Sequence, residues 1–140
     1  MKQLTINLMA AAVVALAAGN ASAQNLKAEI PFTFQAAGVV MTPGTYDVIH
    51  SSSLASKHVV LRNRETKKAV LAMYTPEDPA KQLKAQGKPG IQFECVGTRC
   101  ALREIWAADG SPAYGFNTPK PGSDEPRRMA FIPLTSTKAD

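Results

Sequence analysis

Two histidines, His50 and His58, flank the run "SSSLASK", and Cys95 and Cys100 bracket "VGTR" in "IQFECVGTRCALREIW". With Glu104, these are the side chains best suited to chemistry. A serine beside a histidine invites nucleophilic catalysis, but a triad also needs a carboxylate that orients the imidazole and an oxyanion hole, and serine-rich runs are common turns. As metal ligands, His50 and His58 lack a third His or Cys at the spacing of a zinc site. A Walker-type phosphate loop is absent, and "GTYDVIHSSS" does not open a helix, so the sequence implies no cofactor or nucleotide.

The cysteines read differently. In a hairpin register with "VGTR" as a four-residue loop carrying Gly97, Cys95 and Cys100 lie directly opposite one another, at the Cα separation that a disulfide spans. A redox pair would favour Cys-x-x-Cys at a helix N-terminus, and a metal site would need further ligands. A structural disulfide is therefore expected. Such bonds persist outside the cytosol, and the N-terminus agrees with that compartment. Lys2, the apolar run "LMAAAVVALAAG" and the small residues Ala21 and Ala23 form a secretory signal pattern, with cleavage expected after Ala23. The apolar run is shorter than the roughly 20 residues of a membrane anchor. No cysteine follows it to carry a lipid, and no twin arginine precedes it.

Residues 24–140 then form a single domain of 117 residues, with fifteen basic groups against eleven acidic and a net charge of +4. That mild excess suits anionic partners such as lipid head groups or polysaccharide, and it is also what an ordinary soluble surface carries. Arg62, Arg64, Lys67 and Lys68 gather around one hairpin turn and form the candidate ligand or interaction surface, while Arg127 and Arg128 begin a late strand. Nucleic-acid binding would ask for aromatic residues interleaved with these cations, and export argues against it.

The elements that position these residues alternate with period two, the mark of half-buried strands. "AEIPFTF" places Ala28, Ile30, Phe32 and Phe34 on one face, with Pro31 marking an edge or one-sided pairing. Pro43 and Gly44 fit a type II turn leading into "TYDVIH", where Tyr46, Val48 and His50 share a face. In "HVVLRN" Val59 and Leu61 fall together, and "AVLAMY", apolar on both faces, reads as a central strand. In "TPEDPAKQLKAQGKPG", Asp78 as N-cap, Pro79 as first helical residue and Gly87 as stop predict one short helical turn in a long connection. That connection is a surface crossover or a lid. Beyond the hairpin, Leu102, Glu104 and Trp106 share the face of Cys100, which points Glu104 into an apolar layer unless a bulge turns it to solvent. "PAYGFN" and "RRMAFIPL" close the domain, and "TSTKAD" frays. The expected fold is all-β, about eight antiparallel strands in a small barrel or a two-sheet sandwich.

"IPFTF", Gly38, "TPGTYDV", "VVLRN", "IQFE" and "LREIW", in that order between about Ala28 and Trp106, resemble an uncharacterised family of small secreted β-rich proteins of soil bacteria. The chain departs from that pattern in its cysteine pair and in lacking a Leu-Pro-x-Ser end. The resemblance implies an exported β-rich protein and transfers no catalytic residue. Three functions follow as expectations. The first is a non-enzymatic β domain with an interaction or structural role in the periplasm, the cell envelope or the medium, partners unknown, its interior filled by Phe32, Phe34, Leu71, Phe93, Leu102 and Trp106. The second is a small carrier holding an apolar or anionic ligand in a cavity of several hundred Å³ beneath residues 75–90. The third is a hydrolase using His50 or His58.

Overall fold

The computed structural model describes residues 25–52, 57–120 and 125–137. The expected signal segment, residues 1–23, and much of the serine-rich loop lie outside the described residues. Among the described residues, twelve strands and one short helix make two sheets that face each other as an open sandwich; they do not close into a barrel.

The first strand, β1 (Leu26–Ile30), is followed by β2 (Phe34–Ala36) and β3 (Val39–Met41). Next come β4 (Gly44–Ser52), β5 (Lys57–Asn63), β6 (Ala69–Met73), β7 (Thr75–Glu77) and α1 (Lys81–Gln86). The remainder is β8 (Gly90–Val96), β9 (Arg99–Trp106), β10 (Ala113–Gly115), β11 (Arg127–Pro133) and β12 (Thr135–Ser136). The first sheet runs β12-β1-β4-β5-β6 and the second β11-β8-β9-β10-β7, with β2 attached beside β9 and β3 beside β2.

Several strands expected to be continuous change sheets instead. The alternation of Ala28, Ile30 and Phe34 holds, all three being buried. Yet the chain breaks at Pro31, so β1 pairs with β4 in the first sheet while β2 pairs with β9 in the second. Proline cannot donate to a ladder, so the break falls where a backbone donor is already lost. The β2–β9 pairing is parallel, an exception to the all-antiparallel expectation. Pro43 and Gly44 mark a second crossing, from β3 to β4. Gly44 has φ 157, far from the value near +80 of a type II turn, and opens β4 rather than closing a hairpin. The chain crosses again at Tyr74, between β6 and β7, and at Leu134, whose N–H donates to the Pro89 carbonyl at 3.0 Å. Strands that switch sheets at short breaks are how sandwiches make corners.

The doubly covered strand is β8, in which Ile91, Gln92, Phe93, Glu94 and Cys95 are all buried. The "AVLAMY" segment is an edge: β6 pairs only with β5, and Leu71 is 50% exposed and Met73 60%. Apolar residues on both faces had suggested the opposite, but only Val70 and Ala72 turn inward. Residues 135–136, expected to fray, pair with β1.

The hairpin joining β5 to β6 is built on Asn63, which is 1% exposed. Its Oδ1 accepts the N–H groups of Glu65 at 2.8 Å and Thr66 at 3.0 Å, and its own N–H donates to the Lys68 carbonyl. Its amide also packs on Gly44, where an added Cβ would lie 2.8 Å from Nδ2. Asn63→Ala strands two turn N–H groups and is expected to lower unfolding free energy by about 1–3 kcal/mol in urea titrations. Leu71→Ala, at the exposed edge, is expected to change it by less than about 0.5 kcal/mol.

Candidate functional site

Glu104 comes first, because the hairpin that carries the cysteines also places it. Gly97, with φ 62, begins a two-residue turn fitting type II′, so Val96 pairs with Arg99 and the loop is shorter than the expected four residues. Cys95 faces Cys100 and the two form a disulfide with a Cα separation of 4.0 Å. Farther along, the register slips between Gln92 and Phe93: Phe93 pairs with Leu102 and Gln92 with Glu104, leaving Arg103 as the extra residue of a bulge.

That bulge reverses the face beyond it. Ile105, not Trp106, joins the core, and Trp106 is only half-buried. Glu104 leaves the apolar layer as the bulge requires, yet it does not reach solvent and is only 2% exposed. The segment from β7 to α1 covers it. Glu104 Oε1 accepts the Ala80 N–H at 2.8 Å. This bond holds the chain at the mouth of α1, whose N-cap is Ala80 rather than Asp78 and has no side-chain cap of its own. Leu83 then buries completely as α1 lies against β8, and Gly87, with φ 68, closes the helix as expected.

Glu77 stands beside Glu104 and hydrogen-bonds to it. Glu77 Oε2 also accepts from Arg103 at 3.3 Å, and its carboxyl packs so tightly on Gly115 that an added Cβ there would lie 2.1 Å from Oε1. Burial, the bond to Glu77 and the charge of Glu77 lift the Glu104 pKa from its ordinary 4.5 to about 7, against the Ala80 N–H and Arg103. An open hollow of about 270 Å³, bordered by Thr75, Glu77, Arg103, Asn117 and Thr118, lies alongside. Glu77 borders that hollow; Glu104 does not.

His50 belongs to a second cluster. On β4 it shares the face of Tyr46 and Val48, as expected, but at the open end of the sandwich. Its Nε2 is 2.7 Å from the Tyr74 hydroxyl and its Nδ1 3.4 Å from that of Tyr114. The imidazole stacks on Tyr114 at 4.4 Å and 13°. Burial lowers the His50 pKa below its usual 6.5, opposed by Asp109 and reinforced by His58. Burial raises the Tyr114 pKa, opposed by its bond to Ser111 and reinforced by Tyr74 and Asp109. Ser111 donates its hydroxyl to Asp109, not to His50. A serine, a histidine and an aspartate are thus neighbours without the serine-to-histidine bond that activates a nucleophile. His58 pairs with Ser51 across β4 and β5 and so lies on the opposite face from His50.

The basic residues gather as expected at the β5–β6 turn, and all four are exposed. Arg64 pairs with Asp47 at 2.8 Å, Arg62 faces Asp47 in register, and the Lys68 ammonium donates to the Val40 carbonyl at 3.2 Å. Arg127, from the other basic pair, binds Glu94 at 2.9 Å, and Thr118 donates to the same carboxylate at 2.8 Å. A hollow of about 200 Å³ lies there, with Glu94, Cys100, Lys120 and Glu125 among its borders. Sequence reasoning missed Glu77, Glu94, Tyr74 and Tyr114. No local pattern marks them, since each acts through a residue brought from another strand. Among the described residues, no group of three or more His, Cys, Asp or Glu side chains is placed to hold a metal.

No protein-family model, curated protein or solved structure matches this chain.

The Glu104 carboxyl binds its proton more tightly in the folded chain than in the unfolded one. Between pH 4.5 and about 7 the folded state therefore holds more protons, and unfolding free energy falls as pH rises. Its contribution is full below 4.5 and gone above about 7. Urea midpoints measured across that range are expected to drop, and Glu104→Gln, which keeps a neutral hydrogen-bonding group, is expected to flatten the drop.

Proposed function

We propose that the chain is an exported, non-enzymatic β domain whose role is interaction or structure in the periplasm, the cell envelope or the medium. The observation that carries this reading is the filled interior. Phe34, Met41, Tyr46, Leu61, Phe93 and Leu102 occupy the space between the sheets, each at most 2% exposed. Of the side chains expected to fill it, Leu71 lies outside and Phe32 and Trp106 only partly inside. Neither departure opens a chamber. Leu83 seats α1 in the region where a carrier would need its cavity, and the hollow bordering Thr75 and Glu77 has a polar rim. Ligand sites are mostly apolar and enclosed.

The polar clusters support the same reading, because they are satisfied from within. Among the described residues, no buried side-chain nitrogen or oxygen lacks a hydrogen-bond partner. The Glu104 pair ties β7 and α1 to β9, and the His50 cluster ties the first sheet to the second. The disulfide fits an oxidising compartment. No described helix is long and apolar enough to cross a membrane.

The first sheet offers a partner its outer face and its open β6 edge. Ile49, Val60 and Leu71 lie side by side across β4, β5 and β6, and the basic turn of Arg62, Arg64, Lys67 and Lys68 stands at one end. Native mass spectrometry of the protein from an oxidising compartment is expected to show an adduct-free chain that begins at Gln24 and is two hydrogens lighter than its reduced form. An apolar molecule released only on denaturation would establish the carrier instead. Ester hydrolysis lost in the double variant His50→Ala with His58→Ala would establish the hydrolase.

A further inference from the structure

We infer that the partner at the open β6 edge of the first sheet is a second copy of the chain, joined through antiparallel pairing of the two β6 strands. The inference deepens the interaction reading and rests on it.

Four observations lead there. The first is an open ladder. The Tyr74 N–H donates to the Lys57 carbonyl and the Asn63 N–H to the Lys68 carbonyl, so residues 68, 70, 72 and 74 point their backbone groups at β5. Strand alternation then turns those of Ala69, Leu71 and Met73 to the free edge, and all three residues are exposed.

The second is that the other edges are guarded. An open edge invites pairing unless proline, charge or shortness prevents it. Among the described edge strands, β7 carries Pro76, β11 begins with Arg127 and Arg128 and ends at Pro133, and β12 has two residues. β3 has three residues, and Lys68 already occupies its Val40 carbonyl. β6, with the sequence AVLAM, has neither proline nor charge.

The third is self-complementarity. A two-fold axis at Leu71 sets Leu71 against Leu71 of the second copy and Ala69 against Met73. On the outer face the existing row of Ile49, Val60 and Leu71 continues into Leu71, Val60 and Ile49 of the second copy. On the inner face Val70 meets Ala72, the two buried residues of β6. The rows flanking the central one place Ala69 beside Met73, and no charge faces its like across the new seam.

The fourth is charge. Lys67 and Lys68 precede β6, while the uncharged Tyr74 and Thr75 follow it. Antiparallel pairing keeps the lysine pairs of the two copies at opposite ends of the seam, whereas parallel pairing would gather like charges.

A five-residue strand with its flanks buries less than the roughly 1,000 Å² of a stable interface, so the dissociation constant is expected on the order of 10⁻⁴ M. Sedimentation equilibrium from about 10 µM to about 1 mM is expected to show a monomer passing to a dimer and no further. Leu71→Lys and Leu71→Glu, at a half-exposed site that leaves the core intact, are each expected to weaken association at least ~10-fold. An equimolar mixture of the two is expected to restore it as a heterodimer. Met129→Lys, also at an exposed site but on β11, is expected to leave it unchanged.

Leu71→Cys supplies a second readout. The chain has no free cysteine among its described residues, so an oxidised Leu71→Cys protein should run as a covalent dimer without reductant. A wild type that stays monomeric at 1 mM, an open-ended polymer, or a dimer indifferent to Leu71→Lys overturns the inference. None of these outcomes touches the non-enzymatic reading, which the adduct and hydrolysis measurements decide separately.

Discussion

The contact on which the rest of the structure depends is the pair of edge-to-face packings made by Phe34. Its ring meets Tyr46 of the first sheet at 5.2 Å and Phe93 of the second at 5.3 Å, and Phe32 adds its own edge to Phe93 at 5.1 Å. Aromatic pairs in such geometry are worth about 0.5–1.5 kcal/mol each beyond the area they bury. Phe34 can reach both sheets only because the chain leaves the first sheet at Pro31 and enters the second beside β9, with Phe34 opposite Cys100. The Tyr46 hydroxyl, carried into the core by its ring, donates to the Thr42 carbonyl at 2.5 Å, just before the chain crosses back. Sheet switching, the parallel β2–β9 pair and the aromatic clamp are one solution to one packing problem.

The bulge at Arg103 is a second organising feature. By advancing β9 one residue it puts Ile105 into the core and delivers Glu104 to the outer side of the second sheet. A carboxyl there needs cover and partners, since an unpaired buried charge is costly. Ala80, Glu77 and Arg103 meet that requirement, and in doing so they hold the otherwise uncapped α1 in place. The Arg103 carbonyl is not left idle either, because it accepts the Phe116 N–H at 3.0 Å. The buried acid thus works as a tie between segments. The His50 cluster plays the same part at the open end, joining β4 to β10 through Tyr114.

Much of this was legible in the sequence. The period-two pattern marked which side chains turn inward in β1, β4 and β5, and the buried set of Ala28, Ile30, Tyr46, Val48, Val59 and Leu61 follows it. Cys95 and Cys100 announced their bond through spacing and a turn glycine, and Gly87 announced the end of α1. These features are local, decided by alternation, by backbone freedom at a glycine or by loop length. The connection over residues 75–90, too, could be read as a surface crossover carrying a helical turn.

What the tertiary structure alone decided is which strand lies beside which. Alternation reports that a residue faces inward, but not whose sheet it joins, so an unbroken pattern from Ala28 to Phe34 concealed a change of sheet at Pro31. Apolar content on both faces suggested that β6 is central, although the doubly covered strand is β8, whose Gln92 and Glu94 read as polar. A bulge of one residue moved Glu104 and Trp106 from the face their parity assigned. Glu77 with Glu104, and His50 with Tyr74 and Tyr114, are neighbours only because strands distant in the chain pack together. Strand neighbours and register come from summed long-range packing, and no short stretch of sequence contains that sum.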